Sequence, residues 1–214
     1  MSTTPTETPL LRVNGLRKQF GELTVFADMS FDLPRGRALA MVGPNGSGKS
    51  TAMRCITGAD RPTEGTVELD GTPMDERLPA IRRGLAVVMD DLDFFPDLSV
   101  VEHLDLFARA HGVPNPDPLV DAVLEDVGLT MQAAQLPGTL SSGQRRRLAL
   151  ASAFVRPRLL LVLDEPEQRL DDSGLEWLAG RLNAEKKLGL GVLLASHDSA
   201  PVAAVADDVL HLGA

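Results

Sequence analysis

The stretch that most constrains this chain is Gly43-Pro44-Asn45-Gly46-Ser47-Gly48-Lys49-Ser50-Thr51. It matches G-x-x-x-x-G-K-[ST] in full, with Gly43, Gly48, Lys49 and Ser50 in the fixed places. A phosphate chain needs several backbone N–H donors converging on it, and glycines let the backbone come that close. Lys49 adds a point positive charge, and the Ser50 hydroxyl suits Mg²⁺. The apolar run Leu39 to Val42 before the loop has the length of a buried strand. Thr51 to Ile56 reads as helix until Gly58, so bound phosphates would meet a helix N-terminus. A chance glycine-rich turn lacks that strand and helix context. The motif predicts binding of a nucleoside triphosphate.

Length and charge narrow the setting. A chain of 214 residues has room for one large α/β domain, or a domain with a subdomain, and for a sizeable core. Its 43% hydrophobic and 24% charged content is ordinary for a soluble globular protein. The net charge of -9 argues against broad nucleic-acid binding. Cys55, the single cysteine, excludes an internal disulfide and a cysteine zinc cluster, and buried packing is its expected role. No apolar run approaches the length of a bilayer span. Residues 1–9 lack the basic and apolar regions of a signal peptide and read as a disordered leader.

Leu10 to Asn14 reads as a strand broken by Gly15, and Val25 to Leu33 as a second. Pro34-Arg35-Gly36 then turns the chain into the phosphate-loop strand. An antiparallel layer ahead of the nucleotide core is expected. Phe20 on its own reads as a packed strand aromatic; a stacking platform for a purine base is the alternative. Further strands are expected over Thr66 to Leu69 and Leu85 to Met89, followed by the acidic loop Asp90-Asp91-Leu92-Asp93.

The pattern then becomes helical. Ser99-Val100-Val101-Glu102 is a capping box opening a helix to about Gly112. Asp117 is expected to cap the next helix, with Pro118 at its first position and Gly128 ending it. Thr130 is expected to cap a short helix ending near Pro137. Ser141-Ser142-Gly143-Gln144 opens the helix continuing through Arg145-Arg146-Arg147, a run expected to lie along a solvated face. Residues from about 96 to 155 thus read as a mostly helical insertion in an α/β core.

Leu159 to Leu163 is a continuous apolar strand delivering Asp164 and Glu165 at its C-terminal end, where ligands of open parallel sheets gather. Behind a phosphate loop, such an Asp can hold the water shell of Mg²⁺ and the adjacent carboxylate can orient or deprotonate water. Asp171-Asp172-Ser173 caps a helix through Lys187. Gly191 to Ala195 is another core strand, with His197 at its tip beside the same edge. A final strand is expected over Asp207 to Leu212.

Together these residues resemble the ATP-binding cassette family, the ATPase subunits of ABC transporters, over roughly residues 10–214. Leu140-Ser141-Ser142-Gly143-Gln144 is similar to that family's LSGGQ signature, with one Gly replaced by Ser. The resemblance implies an α/β fold: a P-loop NTPase core with an N-terminal antiparallel β layer and an inserted helical subdomain. It implies ATP and Mg²⁺ as ligands, and roles residue by residue. Phe20 matches the aromatic that stacks on adenine, and Gly43 to Thr51 the phosphate loop. Asp164 matches the acid that helps to hold Mg²⁺, Glu165 the catalytic glutamate and His197 the switch histidine. Asp171 matches the aspartate of the loop that crosses the dimer interface. In the family two cassettes close head to tail, so Ser141 to Gln144 would face ATP held by the other cassette, a homodimer or heterodimer partner. Separate membrane-spanning subunits are the implied partners. They would place the chain on the cytoplasmic side of the cell membrane. No nucleic acid is expected.

Two positions depart from the family pattern. Its usual Gln after the strand at Leu85 to Met89 falls on Asp90, a hard oxygen ligand for Mg²⁺ that adds negative charge. Arg169 stands where a small residue is more common. The leading reading is a Mg²⁺-dependent transport ATPase. The alternatives are a regulatory ATP-binding module with weak hydrolysis and a soluble ABC protein acting away from membranes. The chain stops soon after His197, which leans towards an exporter or a small stand-alone subunit.

Overall fold

A computed structural model describes residues 8–89 and 93–213. Most of the predicted leader and the Asp90 position therefore lie outside the described residues. The chain opens with β1 (Leu11–Phe20) and β2 (Leu23–Leu33), then β3 (Ala38–Val42) and α1 (Lys49–Thr57). It continues through β4 (Glu64–Leu69), β5 (Thr72–Pro73), α2 (Pro79–Gly84) and β6 (Leu85–Val88). Next come α3 (Val100–Ala110), α4 (Asp117–Asp126) and α5 (Ser142–Phe154), then β7 (Leu160–Asp164) and α6 (Asp172–Lys186). β8 (Gly191–Ser196), α7 (Ser199–Val205) and β9 (Asp208–His211) complete it.

Two sheets form. One is antiparallel in the order β2-β1-β4-β5, and the other is parallel in the order β6-β7-β8-β3-β9. The central strands β3, β7 and β8 are apolar up to their C-terminal ends because both of their faces are covered, whereas the edge strand β9 is largely exposed. Alternate residues go to opposite sides. Ala38, Ala40, Leu161, Leu163, Val192 and Leu194 join the core under the helical layer. Leu39, Met41, Leu160, Val162, Leu193 and Ala195 join the core shared with α1 and the antiparallel sheet. Cys55 is buried in that second core, as expected of a packing residue.

Several local expectations shift. Gly15 does not end the first strand: β1 runs through it with φ 55° and a register shift between Val13 and Leu16. A bulge there bends the strand while pairing to β2 and β4 resumes beyond it. Pro116, not Asp117, occupies the cap of α4, so Pro118 lies one position deeper than expected. The helix expected from Thr130 is instead two 3₁₀ turns, Thr130–Gln132 and Pro137–Thr139, because Pro137 resets the backbone. α2 and α7 are short helices that the sequence pattern did not announce.

The largest correction concerns the arginine run. Arg146 is 5% exposed, on the same face of α5 as the buried Ala149, Leu150 and Ala153. It is not on a solvated face. Arg147 is half-buried, donating to the Val127 carbonyl at 3.1 Å and pairing with Asp171 at 3.4 Å.

Candidate functional site

Strand order assembles the site. β3, β8 and β7 are neighbours in the parallel sheet, and each hands its C-terminal end to a different part of the site. β3 leads into Gly43 to Gly48, β7 ends on Asp164, and β8 ends on Ser196 ahead of His197.

The phosphate loop is shaped by its own backbone. The Ser47 N–H donates to the Pro44 carbonyl at 3.1 Å, and α1 begins at Lys49. Gly48 has φ 93°, and a Cβ there would lie 2.6 Å from Val25 Cγ1 in β2. Any other residue would be strained and would push the two layers apart. Lys49 is buried, and its ammonium donates to the Gly43 and Pro44 carbonyls at 2.8 and 3.1 Å. It spans the mouth of the loop that a phosphate chain would enter. Ser47 Oγ is a buried polar atom without a hydrogen-bond partner, a further group left for a ligand. Pro44, Asn45 and Gly46 are exposed at the rim, and Ser50 and Thr51 begin the first turn of α1.

Asp164 is 4% exposed, and its Oδ1 is buried without a hydrogen-bond partner. Burial pushes its carboxyl above the ordinary carboxylate range, and Glu165 adds to that rise. The Ser50 hydroxyl and the charges of Lys49 and Arg146 oppose it. A buried carboxylate oxygen that lacks a donor, next to a hydroxyl, is the donor chemistry that suits Mg²⁺, which takes few protein ligands and keeps waters and phosphate oxygens. The residues fit that ion.

A raised folded-state pKa means that Asp164 contributes stability below its unfolded value and loses it as pH rises through the folded value. At neutral pH its charge therefore works against folding. Asp164→Asn should stabilise the ligand-free chain, because an amide carries no charge to desolvate. The same variant should weaken Mg²⁺-dependent ATP binding. Thermal melting with and without Mg²⁺-ATP reads both effects, and a melting temperature lowered by the substitution would contradict this account.

Glu165 adopts φ 44°, and its N–H donates to the Ala195 carbonyl at 2.9 Å. That bond ties the loop after β7 to β8 and turns the Glu165 side chain towards the edge. Gln168 Nε2 donates to Glu165 Oε2, and His197 Nδ1 lies 3.3 Å from Glu165 Oε1. The structure thus brings together a carboxylate and an imidazole that are 32 positions apart.

Phe20 is 55% exposed, which rules out the packed reading. It faces Leu23 across the β1–β2 hairpin, close in sequence to the Val25 that touches Gly48, with Lys18 Nζ 4.8 Å from its ring centre. The signature residues lie elsewhere, at the start of α5. Ser141 and Gln144 form a capping box: the Gln144 N–H donates to Ser141 Oγ at 3.2 Å and the Ser141 N–H to Gln144 Oε1 at 2.9 Å. Ser142 and Gly143 are then the first helical residues, whose N–H groups have no intrahelical acceptor. Gly143 sits under the Arg169 carbonyl, where a Cβ would come to 2.9 Å. Asp171 caps α6 by accepting from the Gly174 N–H at 2.9 Å, which holds its carboxyl below the usual range. Arg169 itself is exposed with φ 67°. Asp90 lies outside the described residues.

Two further contributors were not singled out in the sequence. Gln168 holds Glu165. Arg146 donates to the Asp164 and Glu165 carbonyls, both at 2.7 Å, and more distantly to Pro166 and Met89. The available signal was spacing, since Arg146 precedes Ala149, Leu150 and Ala153 by helical intervals.

Known proteins resemble this chain in sequence and in fold. The family profile described as ABC transporter matches residues 26–168, from β2 through the phosphate loop and signature to the turn after β7. The Nod factor export ATP-binding protein I of Cupriavidus pinatubonensis is 36% identical over 90% of this chain and 60% of its own. The SkfA peptide export ATP-binding protein SkfE of Bacillus subtilis is 33% identical over 94% of this chain and 84% of its own. The chain therefore spans 60% of the first relative's length and most of the second's. A solved ATP binding subunit of an ABC transporter superposes with a TM-score of 0.89 at 28% identity, covering 95% of this chain and 85% of that one. With a profile that matches residues 26–168, about two thirds of the chain, and with that close superposition, this chain belongs to the ABC transporter family.

Proposed function

We propose that this chain is the ATP-binding and ATP-hydrolysing subunit of an ABC transporter, driving transport through ATP-dependent pairing of two cassettes. The observation that carries the reading is the meeting of Glu165 and His197, 3.3 Å apart, just beyond the ends of β7 and β8, with β8 next to the strand that leads into the phosphate loop. Phosphoryl transfer needs positioning and charge neutralisation more than covalent chemistry. Lys49 leaves the Gly43 and Pro44 carbonyls to meet the terminal phosphates. The N-terminus of α1 and the loop N–H groups hold the remaining negative charge. Ser50 and Asp164 would hold Mg²⁺, which when bound neutralises phosphate charge. Glu165, steadied by Gln168, orients and deprotonates the attacking water, and His197 contacts the terminal phosphate.

Residues 10–214 act as one ATPase domain, with the helices of about 96–155 inserted between its strands. Ser141 to Gln144 and Asp171 serve a second cassette, whose bound ATP would meet the free N–H groups of Ser142 and Gly143. Phe20 stacks on the adenine, and Asp90 supplies an oxygen near the metal. Among the described residues no helix is long and apolar enough to cross a membrane. In this reading transport is coupled through separate membrane-spanning subunits, as the family resemblance implies, with the chain on the cytoplasmic face.

The test is phosphate release and ATP binding by the purified chain with and without Mg²⁺. Wild type should hydrolyse ATP only with Mg²⁺, and Lys49→Ala should bind ATP at least about tenfold more weakly. Mg²⁺-independent release, or unchanged binding by Lys49→Ala, would end this reading.

A further inference from the structure

Beneath the Glu165–His197 contact lies a second bridge between the same two loops. Ser196, the last residue of β8, is fully buried, and its hydroxyl is hydrogen-bonded to Glu167 Oε1. The same hydroxyl accepts the Asp198 N–H at 2.9 Å and lies 3.1 Å from the Asp198 carbonyl. His197 is therefore bracketed on both sides by residues tied to one hydroxyl. Its own side chain is 48% exposed, so packing does little to hold the ring.

We propose that Glu167 and Ser196 form a positioning pair that fixes the backbone at His197 and so sets its imidazole beside Glu165. The inference rests on the hydrolytic reading of Glu165 and His197 given above.

Hydrogen-bond inventory supports it. A serine hydroxyl has one proton to donate and two lone pairs. If Glu167 carries a proton on Oε1, it donates to Ser196, and Ser196 donates onward to the Asp198 carbonyl while accepting the Asp198 N–H. All three contacts are then made. An ionised Glu167 would take the serine proton and leave Oγ facing the Asp198 carbonyl with no hydrogen between them. Glu167 is 9% exposed, and its Oε2 is buried without a hydrogen-bond partner. An orphan oxygen is far less costly on a neutral acid than on a carboxylate. Burial pushes the Glu167 carboxyl up, in the direction this arrangement needs. The pair thus acts as a neutral, buried strut under an exposed reacting pair.

The experiment compares Glu167→Gln, Glu167→Ala and Ser196→Ala, measuring kcat, Mg²⁺-ATP affinity and the ¹⁵N resonances of the His197 ring. Glutamine keeps a donor and an acceptor in the same shape, so kcat should stay within about twofold of wild type and the ring resonances should be unmoved. Glu167→Ala and Ser196→Ala should each lower kcat about tenfold or more, with ATP affinity within about threefold, because a small misplacement of a catalytic group costs rate rather than binding. If Glu167→Ala does not fold, Ser196→Ala and the glutamine variant decide the matter through the same readings. Wild-type kcat in Ser196→Ala would overturn the inference. So would a loss in Glu167→Gln as deep as in the alanine variants. Failure of the hydrolytic reading itself would look different: Glu165→Gln would then turn over ATP as fast as wild type.

Discussion

Glu165→Gln should lower Mg²⁺-dependent phosphate release by about 10²- to 10³-fold while leaving ATP affinity within a fewfold of wild type. Glutamine matches the size of glutamate, so the tie from its backbone N–H to Ala195 and the turn at φ 44° survive the change. What is lost is the base. The carboxylate lies between the Gln168 amide and the His197 ring, where it can take a proton from water beside the terminal phosphate. An amide in the same place accepts a hydrogen bond but has no useful basicity. Binding, which rests on Lys49, the loop N–H groups and the helix N-terminus, does not use that base. The variant should therefore trap ATP, and, if cassette pairing follows ATP binding, should accumulate as a dimer in sedimentation. Single-turnover hydrolysis with radiolabelled ATP measures the chemical step directly. A wild-type rate already as slow as that of Glu165→Gln would favour a regulatory module that binds ATP and hydrolyses it poorly. Asp90→Gln in parallel would then reveal whether the aspartate is responsible.

Arg146→Met should destabilise the chain by about 3–5 kcal/mol, with a matching loss of ATPase activity. Methionine fills much of the same volume, so the effect is not chiefly one of packing. The guanidinium donates to the carbonyls of Asp164 and Glu165 at 2.7 Å and reaches those of Pro166 and Met89 at 3.4 and 3.5 Å. The Asp164, Glu165 and Pro166 carbonyls lie at the end of β7 and in the turn that leaves it, and that of Met89 follows β6. Removing Arg146 strands them in a buried region, and each unsatisfied group costs about 1–3 kcal/mol. The charge also helps Asp164 to ionise beside its metal site. Urea unfolding of wild type and variant measures the difference through the shift in midpoint at a constant slope. Arg145→Met, next in the run but outside this cluster of carbonyls, is the control and should stay within about 1 kcal/mol. Equal effects at the two positions would place the stabilisation in helix propensity rather than in the carbonyl cluster.

The legible parts of this protein are those whose physics is local. The phosphate loop was read from nine adjacent residues because its conformation depends on glycine torsions and on a helix beginning at Lys49. The capping box at Ser99 was read for the same reason: donor and acceptor are three residues apart, and it is formed. The buried strands β7 and β8 were legible because a sheet covered on both faces favours a continuous apolar run, with polar Asp164 and Ser196 only at the C-terminal ends. Gly15 was misread because a glycine in a strand can mark either a break or a bulge. Only pairing with β2 and β4 on either side of it selects the bulge.

The sequence by itself determined which residue types reach the ligand edge: Lys49 and Ser50 after one strand, Asp164 and Glu165 after another, His197 after a third. Strand length and alternation place a residue at the end of its own element with no reference to the rest of the chain. Only the tertiary structure decided what surrounds those residues. Arg146 meets Asp164 and Glu165 across 18 and 19 positions, His197 meets Glu165 across 32, and Ser196 meets Glu167 across 29. The last two contacts follow from the neighbouring of β7 and β8, which places their distant loops side by side, and the Arg146 contacts from the packing of α5 over the end of β7. Whether an arginine faces water or a cluster of carbonyls is fixed by what packs over it, and helical periodicity specifies the face but not its neighbour.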